Sequence, residues 1–563
     1  MKRIFFLLIT LCGVFTASAE QYKAIVSLTD GTTQAYGISS VSDITFSADA
    51  AQLYLHATDG VTVTYPVAGI ASIDFEECSS EVPMPYATDF DVAFDSADDT
   101  SYSSVTEIIS DDEEDDDAGD FIENFSPKGT VTIVWDGAKA SKSTSGTTSG
   151  VTVSITGADV SIMATDKAKR IRYVLKGNSS DGSLTIYSMK KCQITLSDVS
   201  LKNADGPVIS MPKLVSGSSS YGGKTTLVEL IGTNALEDGA YTPDGTKGKA
   251  TFFSEGQLIF SGKGTLNVKS NSGHGIASDD YIRLRGGSHN PVINVTTSNG
   301  KDGISVNDYF LMYGGELTIQ AADDGISIAK GYADIAGGKL TVDAADEGIV
   351  VTNEEAEAGI DPSITVRGGL LKITTTGDKG HALKAAANYT QTGGIVQATV
   401  KGAGSKAFNT DGNCSFTGGK ATLLVDGLPI YDEEENDVSS AAGIRSRGTL
   451  TLDGITLAIK ATAEGGKGIN STGNILCKSG DVTIVNTKGK YTSNGKTTRA
   501  RGITADTGLE IDGGLIRVRS VDDAVYSPMS FNLIGGAVQA YSSEGNAVQA
   551  ASVKHTAGWL VTR

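Results

Sequence analysis

Carboxylates recur in this chain where a repeat would stack them. Aligned on a Gly/Ala-then-apolar step, Gly275-Ile276, Gly303-Ile304, Gly325-Ile326, Gly348-Ile349, Gly380 and Ala407 mark successive units. The residue before the step reads His274, Asp302, Asp324, Glu347, Lys379, Lys406. The one before that reads Gly273, Lys301, Asp323, Asp346, Asp378, Ser405. Stacked, Asp302, Asp323, Asp324, Asp346 and Glu347 gather on consecutive units, with Asp378 on the next. Carboxylates about 5 Å apart repel by about 3 kcal/mol per pair at an effective dielectric of ~20, so a compensating charge is expected. Ca2+ takes about six to eight oxygen ligands, carboxylates and turn carbonyls among them, and acidic turns supply that ligand type. Beyond Glu347 the switch to Lys379 and Lys406 marks an edge of the set, where lysines neutralise their neighbours without a metal. A single Asp-Gly step is ordinary turn chemistry; doubled acids on adjacent units favour the cation. Asp522-Asp523 before Ala524 repeats the pattern once more.

A second column, Tyr281, Tyr309 and Tyr332, lies six or seven residues after the step, flanked by Asp279, Asp280 and Asp308. Each tyrosine immediately precedes an apolar strand, which predicts rings pointing outward at a turn. Stacked there, they would form a flat platform for sugar rings; the same residues also suit a plain solvent-facing ladder. Lys301 and Lys330 stand near the acidic set and are the candidates for metal-assisted proton abstraction. They serve equally as charge compensators, and no catalytic residue is assigned. Nucleophile triads, P-loops and paired-His zinc motifs do not occur, and the five His are scattered.

The elements that must position these residues come from a repeat. Gly pairs occur at Gly286-Gly287, Gly314-Gly315, Gly337-Gly338, Gly368-Gly369, Gly393-Gly394, Gly418-Gly419, Gly513-Gly514 and Gly535-Gly536, the tightest intervals being 22 to 25 residues. Between Gly315 and Gly338, Leu317 and Ile319 alternate with Thr318 and Gln320. Asp323-Asp324-Gly325 interrupts, Ile326 and Ile328 alternate with Ser327, and Ala333 and Ile335 follow. Three short strands per unit, repeated at this period, predict stacked coils. The fold expected for residues 128–563 is therefore all-β, a right-handed parallel β-helix, with inward Ile, Leu and Val stacking from coil to coil and Gly at the bends.

Three further regions precede it. Lys2-Arg3, an apolar run from Ile4 to Val14 and Ala17-Ser18-Ala19 read as a cleaved secretory signal over 1–19. The expected destination is outside the cytoplasm, secreted or at the cell surface or periplasm. Residues 20–78 hold a tandem repeat in which Thr29-Asp30-Gly31 recurs as Thr58-Asp59-Gly60, Tyr36 as Tyr65, Ile44 as Ile73 and Phe46 as Phe75. Asp-Gly between β-rich runs signals hairpins, so a small β module is expected. It resembles the short N-terminal β repeats of many secreted Bacteroidetes proteins. Residues 79–127, with DDEEDDD at Asp111–Asp117, read as an extended, solvated acidic linker.

Composition sets the outer bounds. The 563 residues carry 67 Asp+Glu against 46 Lys+Arg, a formal charge of −21, which argues against nucleic acid as partner. No stretch after the leader is long and apolar enough to span a membrane. Cys78, Cys192, Cys414 and Cys477 are widely spaced, which favours inert buried thiols over a pair.

The run TFFSEGQLIFSGKGTLNVK (Thr251–Lys269), then HGIASDDYIRL, DGISVNDYFLMYGG and DDGISIAKGY, resembles a secreted calcium-binding, carbohydrate-binding parallel β-helix family of cellulolytic clostridia and Bacteroidetes. LEDGAYT near Asp238 and DGSLTIYSMKKCQITLSDVSLKNADGPVIS (Asp181–Ser210) fit its early coils, so coverage runs roughly over 128–390. The resemblance implies a fold similar to polysaccharide lyase family 9 and binding of acidic plant polysaccharides or cellulose. It places Asp302, Asp323, Asp324 and Asp346 at calcium-turn positions, with Glu347 a departure from a second Asp. The expected function is non-catalytic, Ca2+-assisted binding of a polysaccharide. A calcium-dependent pectate-type lyase and a structural surface adhesin are the alternatives.

Overall fold

The structure is a computed structural model that describes residues 21–94, 98–99, 116–243, 248–353 and 359–563. The leader (1–19) and the acidic run at 111–115 lie outside the described residues. What is described is nearly all β-strand, with only short 3-10 turns as helix. No helix among the described residues is long and apolar enough to cross a membrane. The chain divides into two compact units: the residues up to Ala93 together with Thr449–Arg563, and Phe94–Gly448.

Within Phe94–Gly448 the strands pair in parallel with the third strand on. His274–Ser278 pairs with Ile304–Val306, Ile326–Ile328, Ile349–Val351 and Leu383–Ala385 in succession. Ile282–Leu284, Tyr309–Met312, Tyr332–Ile335 and Ile364–Val366 form a second ladder. Val292–Thr297, Glu316–Ala321, Lys339–Ala344 and Leu370–Thr375 form a third. Three parallel ladders fed in rotation by one chain are the pairing of a β-helix or solenoid.

The period-two alternation sets which side chains turn inward. Leu317, Ile319, Ile326, Ile328 and Ala333 are fully buried, and the Thr, Gln and Ser between them are not. The second glycine of each of the eight repeat-marking Gly pairs has positive φ, from 67° at Gly287 to 86° at Gly338, a bend that a side chain would oppose. Gly325 is required for a different reason. A Cβ there would lie 2.3 Å from Val342 Cγ1 and 2.5 Å from the Gly348 carbonyl, because the acidic turn crosses directly over the core.

The other unit has three-strand parallel pairing of its own, as in Ile469↔Ile503↔Val525. The N-terminal repeat is built into this unit. Thr62–Pro66 pairs antiparallel with Trp559–Thr562, the last strand of the chain. Leu53, Leu55, Val63 and Tyr65 share one core with Tyr541, Trp559 and Val561. The exposed edge that a terminal coil would leave is thereby paired. The two repeat-related tyrosines, Tyr36 and Tyr65, meet hydroxyl to hydroxyl inside that core. All four described cysteines are free thiols, with Cys192, Cys414 and Cys477 buried.

Candidate functional site

The register Ile304↔Ile326↔Ile349↔Leu383 puts Asp302, Asp324 and Glu347 in one column and Lys301, Asp323 and Asp346 in the next. Asp323, Asp324 and Asp346 converge: one carboxylate oxygen from each lies within 4.8 Å of the others. Burial raises all three carboxyls. Asp302 and Asp346 add to the effect on Asp323. Asp324 is pushed up to about 6, with Asp302 the next cause. Asp346 also rises to about 6, with Glu347 the next cause. Among the described residues, none of the three makes a salt bridge to Lys or Arg.

The other two residues of the sequence-derived set are engaged elsewhere. Asp302, 7% exposed, lies 3.2 Å from His274 Nδ1. Glu347 accepts from Lys384 Nζ at 2.6 Å, and its own N–H donates to Asp324 Oδ1 at 3.0 Å. The carboxyl of Glu347 is raised by burial and held down in part by Lys384.

The alignment of the fourth unit needs correction. The step there is Ala382-Leu383, not Gly380, since Gly348 and Ile349 donate to the carbonyls of His381 and Ala382. The column therefore continues from Glu347 to His381, whose imidazole burial and the nearby Lys406 and Lys384 hold well below its ordinary pKa. Lys379 instead sits at φ 62° in a tight turn and bonds to Asp432 at 2.8 Å. The lysine that edges the acidic set is Lys384, on the outward face of the following strand.

Asp522 and Asp523 show how this chain neutralises the same double-acid turn with cations of its own. Arg499 bonds to Asp522 and Arg501 to Asp523, each at 3.1 Å, and the Asn546 N–H donates to Asp523 at 3.0 Å. The Asp323–Asp346 cluster lacks such arginines. Its oxygens fit the donor chemistry of a hard divalent cation.

The tyrosines are brought together as a ladder. Ring centroids lie 4.4 Å apart for Tyr281–Tyr309 and 5.0 Å for Tyr309–Tyr332, with interplanar angles of 13° and 10°. This geometry corrects the expected platform. Each ring spends a face on its neighbour, and Tyr309 spends both, so the column offers ring edges and hydroxyls rather than a flat apolar surface. Asp280 and Asp308 crowd beside it. Asp280 is pushed up to about 6 by burial and then by Asp308, which is paired with Lys330 at 3.4 Å.

The end of the ladder is held by residues that sequence reasoning missed. Tyr281 donates its hydroxyl to Asp120 at 2.6 Å, and Arg283 donates to the same oxygen at 3.2 Å. Glu123 accepts from Arg285 at 3.2 Å and lies 2.9 Å from His289 Nε2. The Phe121 ring packs under both guanidiniums, at 5.2 Å and 4.4 Å. Arg283 and Arg285 are 2% and 1% exposed. The segment around Asp120, read from sequence as solvated, is therefore docked on the outward face of the strand Ile282–Leu284. The available signal was DFIENF, apolar residues spaced through an acidic stretch, together with the outward arginines of YIRLR.

A family model described as carbohydrate-binding domain-containing protein matches residues 168–488 and 459–547, more than half of the chain. The chain belongs to this carbohydrate-binding domain family. Both the acidic cluster and the tyrosine ladder fall inside the first matched region. No curated protein matches the chain. Among solved structures, the polysaccharide lyase-like protein from C. thermocellum, in a gadolinium derivative, matches at 18% identity. That match covers 51% of this chain and 97% of the other, with a TM-score of 0.36, a likeness too low to carry an argument.

Proposed function

We propose that this is an exported, non-catalytic carbohydrate-binding protein, a right-handed parallel β-helix that takes an acidic plant-type polysaccharide with the help of Ca2+. Family membership supports the ligand class. The observation that carries the cation is the convergence of Asp323, Asp324 and Asp346 without a basic partner, against the arginine-neutralised Asp522 and Asp523. These three carboxylates would hold the ion, with Asp302 and Glu347 beside them. When bound, the ion supplies positive charge that offsets the cluster and attracts carboxylates of the glycan. The hydroxyl edges of Tyr309 and Tyr332 supply hydrogen bonds to sugar hydroxyls, beside Tyr281, whose hydroxyl is held by Asp120.

A pectate-type lyase would need a basic group ready to accept a proton near the ion. Lys330, one of the two candidates, is instead paired with Asp308 at 3.4 Å, which favours binding over cleavage. Calorimetric titration of Ca2+ into the wild type and Asp324→Asn/Asp346→Asn tests the cation directly. Saturable binding lost in the variant supports the reading, and equal heats from both proteins refute it.

A further inference from the structure

A cavity of about 460 Å³ lies at the early coils of the Phe94–Gly448 unit, lined by Lys128, Lys169, Arg170, Lys190 and Lys191. No carboxylate is among the described residues that line it. In a chain of formal charge −21 this is an unusual concentration of positive charge. None of the five cations makes a salt bridge among the described residues. Lys191 is half-buried with its ammonium against the docked segment, since a Cβ on Gly119 would lie 3.3 Å from Nζ. Burial lowers the Lys191 pKa, with Asp120 opposing the shift. Phe121 and Phe125 of the docked segment complete the wall.

The β register ties this cavity to the tyrosines. Gly129↔Ile171↔Cys192↔Thr226↔Leu258↔Ile282 is one continuous ladder, so the residues just before each, Lys128, Arg170, Lys191, Thr225, Gln257 and Tyr281, form a single column. Backbone bonds follow the same line: Lys128 N–H donates to the Arg170 carbonyl at 2.9 Å, Thr226 to Gln257 at 2.8 Å and Leu258 to Tyr281 at 3.1 Å. The column then runs on through Tyr309 to Tyr332. Seven steps of ~4.8 Å place its cationic end about 34 Å from Tyr332. One edge of the coil stack thus carries three cations, two neutral hydrogen-bonding side chains and three tyrosines in sequence.

We infer that the cavity is a metal-independent subsite for an oxyanion, carboxylate or sulfate ester, borne by a glycan. The inference rests on the carbohydrate-binding reading and adds an anchoring point remote in the register from the Asp323–Asp346 cluster. The five cations around the cavity can give an arriving oxyanion charge-assisted hydrogen bonds. The half-buried Phe125 offers apolar surface to the sugar ring that bears the anion. A long polyanion such as nucleic acid would meet the net negative charge of the rest of the chain.

The test is calorimetric titration of the full chain, in excess chelator, with polygalacturonate, dextran sulfate and uncharged dextran. The variant is Arg170→Asn/Lys190→Gln, both sites exposed, Asn being chosen because residue 170 has φ 53°. Lys191→Gln is a second variant, accepted only if its melting temperature matches the wild type. The expected result is anionic-polymer affinity about tenfold weaker in both variants, with any dextran binding unchanged. Loss confined to polygalacturonate identifies a carboxylate, and loss confined to dextran sulfate a sulfate ester. Anionic binding that the variants leave intact overturns the subsite while leaving the wider reading standing. No binding of any glycan, with or without Ca2+, removes both.

Discussion

The hydroxyl of Tyr281 donates to the carboxylate of Asp120 at 2.6 Å, across 161 residues of chain. The same carboxylate oxygen receives Arg283 at 3.2 Å. One buried acid therefore fixes the first ring of the tyrosine ladder and binds a buried guanidinium on the same strand.

Removing that acid should be costly. With Asp120→Ala, Arg283 keeps its charge in a buried place and loses this carboxylate. The expected loss is about 3 kcal/mol in chemical denaturation of the unit that holds it. Asp98→Ala removes exposed pairs to Lys339 and Lys372 and should cost less than about 1 kcal/mol. Equal effects from the two variants would contradict the account of the docked segment.

The ladder separates ring faces from hydroxyls. Tyr309→Phe keeps both stacking contacts and removes one hydroxyl from the strip. Glycan affinity should fall while the melting temperature holds. Tyr309→Ala opens the stack on both sides and should lower stability as well, by about 2 kcal/mol. If Tyr309→Phe binds glycan as the wild type does, the hydroxyl edge is not the contacting surface.

Lys384 and Glu347 give a test at the edge of the cation cluster. Lys384→Met leaves Glu347 buried without its 2.6 Å partner. In chelator the variant should be less stable by about 1–2 kcal/mol, discounted because the lysine is partly exposed. Added Ca2+ should then stabilise it more than it stabilises the wild type, since Glu347 is released toward the cluster. Identical Ca2+ responses in thermal melts would count against this.

The pH dependence follows from the same burial. Asp280, Asp324 and Asp346 are each pushed up to about 6, burial being the largest cause in every case. A carboxyl raised in the folded chain holds its proton more tightly there than in the unfolded chain. Stability is therefore lost as pH rises from the ordinary carboxylate range through about 6, and regained on acidification. These three carboxyls favour the lower pH in chelator, while His381 and His555, kept neutral by burial, oppose them over the same range, so the carboxyl contribution is read from the difference between wild type and variant, with Ca2+ narrowing it. Asp280→Asn, outside the cation cluster, should flatten the slope by about 1 kcal/mol after solvent screening. Identical pH slopes for the wild type and Asp280→Asn in chelator would contradict the burial argument.

Much of this was legible in sequence because the repeat is written twice, in glycine and in alternation. The second glycine of each repeat-marking pair takes the left-handed bend, and Leu317, Ile319 and Ile326 turn inward as their spacing requires. The acidic set was legible because register converts spacing into stacking. The fourth unit was misaligned because Gly380 resembles a step. The extra turn at Lys379 moves the true one to Ala382-Leu383. The tyrosine column was found, but stacking at 4.4 and 5.0 Å, which hides the ring faces, is a property of coil spacing that residue type does not carry. The docking of Asp120, Phe121 and Glu123 depends on partners far away in the chain, and local acidity outweighed the apolar spacing that marks it.

The central claim is that carbohydrate binding depends on the Asp323–Asp346 cluster. The direct measurement is calorimetric titration of polygalacturonate into the wild type, with Ca2+ and with excess chelator, and into Asp324→Asn/Asp346→Asn with Ca2+. The expected result is saturable binding to the wild type in Ca2+ and affinity weaker by at least about tenfold in chelator and in the variant. No unsaturated sugar product should accumulate in any of the three. Equal affinities under all three conditions would contradict the role of the cluster, and an unsaturated product would contradict the reading as a binder.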